Sequence, residues 1–176
     1  MELLHTFLDA VRAQKLYRLI YNPEVCELGP PCDELRLCQL QTDSIRRLGR
    51  PLPEPFIEFL RITDGLTENS VTIYASHSAP YLGETGPNPF LKWDILEENE
   101  RHRTDVPDRA NLIVFGHTDL HIPSYQIREQ QYAWMPIIGS KPDEVFDSFD
   151  MMMAATLWLC LKQVYRPAPW KLSVPS

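Results

Sequence analysis

The sequence predicts a single α+β domain, and three observations carry that reading. Apolar residues switch between helical and strand spacing in the order helix, strand, helix, strands, helix, with no βαβαβ regularity. No glycine-rich phosphate loop and no internal repeat interrupts that order. The 176 residues are 44% hydrophobic and 23% charged, enough apolar matter for one core. The domain is expected over residues 1–165, with 166–176 as a proline-rich tail. No run approaches the ~20 apolar residues that a membrane-spanning helix needs. The opening MELLHTFLDAVRAQK has acids at Glu2 and Asp9 and lacks the order of a secretory signal, so a cytoplasmic location is expected.

The elements follow in turn. Leu3, Leu4, Phe7, Leu8 and Val11 mark an amphipathic helix that ends before Asn22-Pro23. Residues 22–34, with three prolines and a glycine, read as a loop, and the alternation in ELRLCQLQ predicts a short strand. TDSIRRLGR predicts a short helix capped by Thr42 or Asp43 and stopped at Gly49. In PLPEPFIEFLRITDG the prolines suit a first helical turn. Phe56, Phe59, Leu60 and Thr63 share a face there, and Gly65 takes the left-handed C′ position. SVTIYAS predicts a strand with Val71, Ile73 and Ala75 on one face and Thr72 and Tyr74 on the other. A loop spans Ser76 to Gly86, and Asn88-Pro89 then caps a helix through PFLKWDILEENERHR with its acids projecting outward. LIVFG predicts a buried strand, and SYQI and QYAWMPI the arms of a hairpin. Ser140 is expected to cap a long final helix that runs from Val145 and Phe146 to Val164. Lys162 and Arg166 would suit the C-terminal end of its dipole.

Charge narrows the partners. Seventeen Lys plus Arg stand against 24 Asp plus Glu, a net charge of −7. Residues 51–110 hold eleven acids and five bases, so nearly all the excess sits in the middle third. Such a chain lacks the basic footprint of a nucleic-acid binder and suits a basic protein partner. The four cysteines, Cys26, Cys32, Cys38 and Cys160, fit neither a C-x2-C zinc pair nor a redox C-x-x-C, and read as reduced, packed thiols.

Candidate chemistry is sparse. In HTDLH, His117, Asp119 and His121 alternate, so on a strand they would face one way and offer three zinc ligands. Gly116 and Asp119 look like turn residues that would break this alternation, and no fourth ligand is visible, so no metal or cofactor is expected. There is no G-x-S-x-G elbow, and no catalytic residues are assigned. Of the four tryptophans, Trp134 and Trp158 are assigned to the core, which leaves Trp93 and Trp170 as candidate contact residues. Two of Met151, Met152 and Met153 are expected to fill the core.

The stretch LPEPFIEFLRITDGLTENSVTIYAS resembles the signature of the SUKH superfamily, named for cell-wall-assembly regulators, killer-toxin resistance proteins and a SecY-interacting protein. Leu52 and Pro53 match the opening of its helix, Phe56, Phe59 and Leu60 its interior, Gly65 its closing glycine, and Ile73 and Tyr74 the strand. A tryptophan-bearing helix, LIVFG, Tyr125 and VFDSFD (Val145 to Asp150) resemble the later blocks. The similarity covers roughly residues 45–165 and is closest to the YrhA-like branch. His117-Thr118 departs from the acidic or glycine-rich turn that relatives often have.

The resemblance implies a mixed or mainly antiparallel sheet flanked by helices, no catalytic activity, and an immunity protein that binds and neutralises a cognate polymorphic toxin. Such toxins are delivered by contact, as in contact-dependent inhibition or type VI secretion, and are commonly nucleases or deaminases. The alternatives are a non-catalytic scaffold or regulator and, further off, a small metal-dependent enzyme built on HTDLH. Charge and exposure place the partner-binding face on Trp93, Asp94, Glu97, Glu98 and Glu100, with Tyr81 and Trp170 as further contacts.

Overall fold

A computed structural model of the chain describes residues 2, 5–10, 13, 26–68, 70–78 and 93–161. Residues 5–10 are helical, and Phe7 and Leu8 are buried. There follow β1 (Cys26–Leu28), α1 (Glu34–Leu48), α2 (Glu54–Ile62), β2 (Leu66–Glu68) and β3 (Val71–Ile73). Next come α3 (Ile95–Asp105), a 3-10 turn (Pro107–Asn111), β4 (Leu112–Val114), β5 (Gly116–His117), β6 (His121–Gln126), β7 (Gln131–Pro136), β8 (Glu144–Phe146) and α4 (Phe149–Leu161). The strands form two sheets, ordered β1-β2-β3-β5 and β4-β6-β7-β8, and every strand pair is antiparallel. The α+β class stands. Among the described residues no helix is long and apolar enough to cross a membrane.

One apolar cluster joins both sheets to the helices. At its centre Phe56 of α2 stacks on Phe115 at 5.0 Å, and Phe149 of α4 meets Phe115 edge-on at 5.4 Å. Trp134 is core, and its indole N–H donates to Thr156 Oγ1 at 2.9 Å, so the buried donor is satisfied. Trp158 packs at the core's margin against Phe7. Met152 and Met153 are buried and Met151 is exposed, as their spacing predicts.

Several boundaries differ from the sequence reading. ELRLCQLQ is not a strand but the first half of α1, continuous with TDSIRRL. Asp33 starts this helix by accepting the Arg36 N–H at 2.9 Å, and Leu37, Leu40, Ser44 and Leu48 recur at helical spacing on its buried face. The apparent alternation was misleading, because Leu35 points to solvent. The expected 22–34 loop contains β1, which pairs with β2 in register Leu28↔Leu66. Three-residue strands are too short to show a period.

Helix α2 ends at Thr63, whose N–H still donates to Phe59 O, so Gly65 is not its C′ residue. Gly65 does hold φ +85, but in the turn into β2. On β3 and its continuation Thr72 and Tyr74 are as buried as Val71 and Ile73, because both faces of the strand are covered. The final helix starts at Phe149, not near Ser140: Glu144–Phe146 pairs with β7, and Ser148 caps α4 by accepting the Met151 N–H at 3.2 Å. Cys38 is exposed rather than packed, and Cys32 is half-buried; both are free thiols. The side chains of Cys26 and Cys160, the ends expected at Asn22 and Val164, and the 166–176 tail lie outside the described residues.

Two glycines are required by close approach to the β3 segment. A Cβ on Gly116 would lie 2.1 Å from Thr72 O, and one on Gly65 would lie 2.9 Å from the Ala75 Cβ. We expect Gly65→Val and Gly116→Ala each to cost about 2 kcal/mol or more in stability, read as a lowered thermal midpoint. An unchanged melt for either would contradict this packing.

Candidate functional site around Trp93 and Tyr74

The site is built where α3 meets the end of β3. Ala75 N–H donates to Trp93 O at 2.8 Å and Ile95 N–H donates to Ala75 O at 3.0 Å, which fixes the chain on either side of Asp94. Asp94 then caps α3, its Oδ1 accepting from Leu96 N at 2.7 Å and Glu97 N at 3.1 Å. The helix therefore begins at Ile95, and Trp93 precedes it rather than riding on it. Asn88, Pro89 and Leu91 lie outside the described residues, as do Tyr81 and Trp170.

This placement corrects the acidic face. Asp94 is buried as the cap, and Glu98 is buried and paired with Arg101. Burial pushes the Glu98 carboxyl above its ordinary pKa, although Arg101 opposes the shift. Glu100 is held by a two-pronged pair to Arg47 of α1, at 2.9 and 2.6 Å, which lowers its pKa. Of the four expected acids only Glu97 is exposed. Acids in a first helical turn satisfy free amides, and Arg47 and Arg101 neutralise the rest. Trp93 itself is half-buried. The Arg101 guanidinium sits 5.2 Å from its ring centroid, and His117 meets it edge-on at 6.1 Å.

Behind Trp93 runs a chain of polar groups that sequence reading missed. Arg109 Nη1 lies 3.1 Å from His102 Nδ1, and a guanidinium can only donate, so Nδ1 accepts. The neutral ring then carries its hydrogen on Nε2, which donates to the Tyr74 hydroxyl at 3.2 Å. That hydroxyl donates in turn to His117 Nδ1 at 3.4 Å, which puts the His117 hydrogen on Nε2. Burial, reinforced by Arg109 and Arg101, lowers the pKa of His102 to about 4. Burial likewise lowers that of His117, and it raises that of Tyr74. His102 sits in the polar run ENERHR, where only the register of α3 against Tyr74 reveals its role.

The HTDLH residues separate. Thr118 Oγ1 accepts from Leu120 N and His121 N, closing a turn that breaks the alternation. His117 faces Tyr74 and Trp93, Asp119 is exposed, and His121 stacks on Trp134 at 4.8 Å. Among the described residues no group of three or more His, Cys, Asp or Glu is placed to hold a metal ion. A second polar knot, also unforeseen, has buried Asp64 accepting from Ser76 N at 2.6 Å and Ser76 Oγ at 3.1 Å, with His77 Nδ1 3.0 Å from that hydroxyl. Ser76 is fully buried, and burial raises the pKa of the nearby Cys32 thiol, so neither has the form of a nucleophile.

The histidine chain sets a pH dependence. An unfolded histidine titrates near 6.5, but folded His102 does so only at about 4. On acidification the unfolded chain takes up the proton first, so stability is lost as pH falls from about 6.5 towards 4. We expect His102→Gln to lose less of its thermal midpoint between pH 7 and pH 5 than the parent chain; equal losses would contradict the assignment. Tyr74→Phe should cost about 1–3 kcal/mol, because it strands the His102 N–H and the His117 Nδ1.

Comparison with known proteins leaves the reading to this geometry: no protein-family model matches the chain, and no curated protein matches it.

Proposed function

We propose that the chain is an immunity-type protein of the cytoplasm that binds a basic toxin domain and neutralises it by covering its working surface, without catalysis. One observation carries the reading. At the Trp93 site the groups capable of proton transfer are bound to one another, while the indole is held half-exposed between Arg101 and His117. A fixed, partly exposed aromatic beside the projecting Glu97 suits recognition, since it binds without losing much side-chain entropy. The net charge of −7 and the segment order that resembles the SUKH superfamily support the same reading. A nuclease or deaminase fits the partner's charge, because a nucleic-acid substrate requires a basic surface.

The reading expects the neighbouring upstream gene to encode a large protein with a short C-terminal toxin domain; a neighbour without one would count against it, and that domain is the probe of the test. Co-expression of the chain should protect cells from that domain. In binding kinetics Glu97→Lys should slow association several-fold at low salt, and Trp93→Ala should mainly speed dissociation. Failure of the parent chain to protect or to bind would overturn the reading.

A further inference from the structure

Outside the Trp93 site lies a group of exposed apolar side chains that includes Ile138, the most exposed large apolar residue among the described residues. Leu120 is 69% exposed, Ile138 91% and Ile137 47%. Leu120 belongs to the β5–β6 turn and Ile137 follows β7, and the register His121↔Pro136 puts them at the same end of the β6–β7 hairpin. Their backbone is held in place. Arg109 Nη2 donates to Ile137 O at 2.6 Å while its Nη1 reaches His102, and Asp143 N–H donates to Trp134 O at 2.9 Å. The patch is therefore tied by one guanidinium to the hydrogen-bonded chain behind Trp93, and by Leu120 and the turn to His117.

The surroundings state the partner's charge. Asp119 adjoins Leu120, Asp143 lies 3.6 Å from His121, and Asp108 adjoins Arg109; all three acids are exposed, against Lys141 as the base of this loop. Beside Ile138 opens a cleft of about 420 Å³ with Leu112 and Met135 among its apolar walls and Asp108 and Glu129 among its polar ones. Arg109 also lines it, but its guanidinium is committed to His102 and to the Ile137 carbonyl. Such a cleft suits a long cationic side chain, whose methylene stem lies on apolar wall while its head meets carboxylates.

We infer that the Leu120–Ile137–Ile138 end of the β6–β7 hairpin is a docking surface for a basic protein segment that sets an apolar residue beside a lysine or arginine. A second copy of this chain is disfavoured as occupant, because the acidic rim would face itself. The inference rests on the proposed function in that its occupant is the toxin domain, and it places part of that contact beyond the Trp93 site.

The experiment measures binding of the same upstream-encoded toxin domain to the full chain and to Ile138→Ser, Leu120→Ser and Asp108→Asn, with Trp93→Ala alongside. These side chains are exposed, so the variants should keep the parent's circular dichroism and melt. We expect Ile138→Ser and Leu120→Ser to raise the dissociation rate about tenfold each, and Asp108→Asn to weaken binding severalfold with a flatter salt dependence. If these three bind like the parent while Trp93→Ala binds more weakly, the inference fails and the function stands. If the parent does not bind the domain, both fall. If the parent is a dimer that Ile138→Ser converts to monomer, the surface is a contact between copies and the inference is overturned.

Discussion

The Asn99 side chain is the constraint on which the arrangement depends. β4 lies at the edge of its sheet, so one side of Val114 has no neighbouring strand. Asn99, buried on α3, supplies what a strand would: its Nδ2 donates to Val114 O and its Oδ1 accepts from Val114 N, both at 2.8 Å. The same amide nitrogen donates to Ile95 O at 2.8 Å. Aspartate would offer no donor, and an apolar residue would leave two buried backbone groups unpaired, at about 1–3 kcal/mol each. A short helix thus becomes the joint between two sheets that share few hydrogen bonds of their own.

That joint explains how the site is held. At its start α3 is bound to Ala75 beyond β3, in its middle to β4, and near its end to Tyr74 through His102. Arg47–Glu100 and Arg103 Nη1 donating to Leu48 O at 3.1 Å fasten it to α1 as well. Most charges of α3 are consumed in holding it, which is why so acidic a segment presents so little free carboxylate. Exposed carboxylates are found instead at residues such as Glu97, Asp108 and Asp119, spread around Trp93 and the Leu120–Ile138 patch. In the binding proposed above, diffuse charge of this kind would steer encounter, and the apolar groups would set the lifetime of the complex.

What was legible in the sequence follows from what has a local cause. The helix at Glu54–Ile62 is announced by its prolines and its aromatic spacing, and β6–β7 by two alternating arms around a polar tip. Leu112–Val114 shows as an apolar run, and the turn within HTDLH by Gly116 and Asp119. The errors arise where a period is too short to register or where two readings compete. Leu35, Leu37 and Leu40 satisfy a strand loosely, whereas Leu37, Leu40 and Leu48 satisfy a helix well once Asp33 is seen as the cap. The site was legible only as Trp93 and its neighbouring acids, because pairing His102 and His117 with Tyr74 joins residues 28 and 43 positions apart. No spacing rule reaches that far.

These contacts form the face in the free chain rather than on contact with a partner. Amide hydrogen exchange of the unbound protein tests it directly, at Val114, Leu96 and Glu97, whose N–H groups donate to the Asn99 and Asp94 side chains. Val114 is expected to exchange only on global unfolding, within about 1 kcal/mol of the most protected core amides, and Leu96 to be clearly protected. Exchange of Val114 within minutes, with protection gained only when a partner binds, would contradict it.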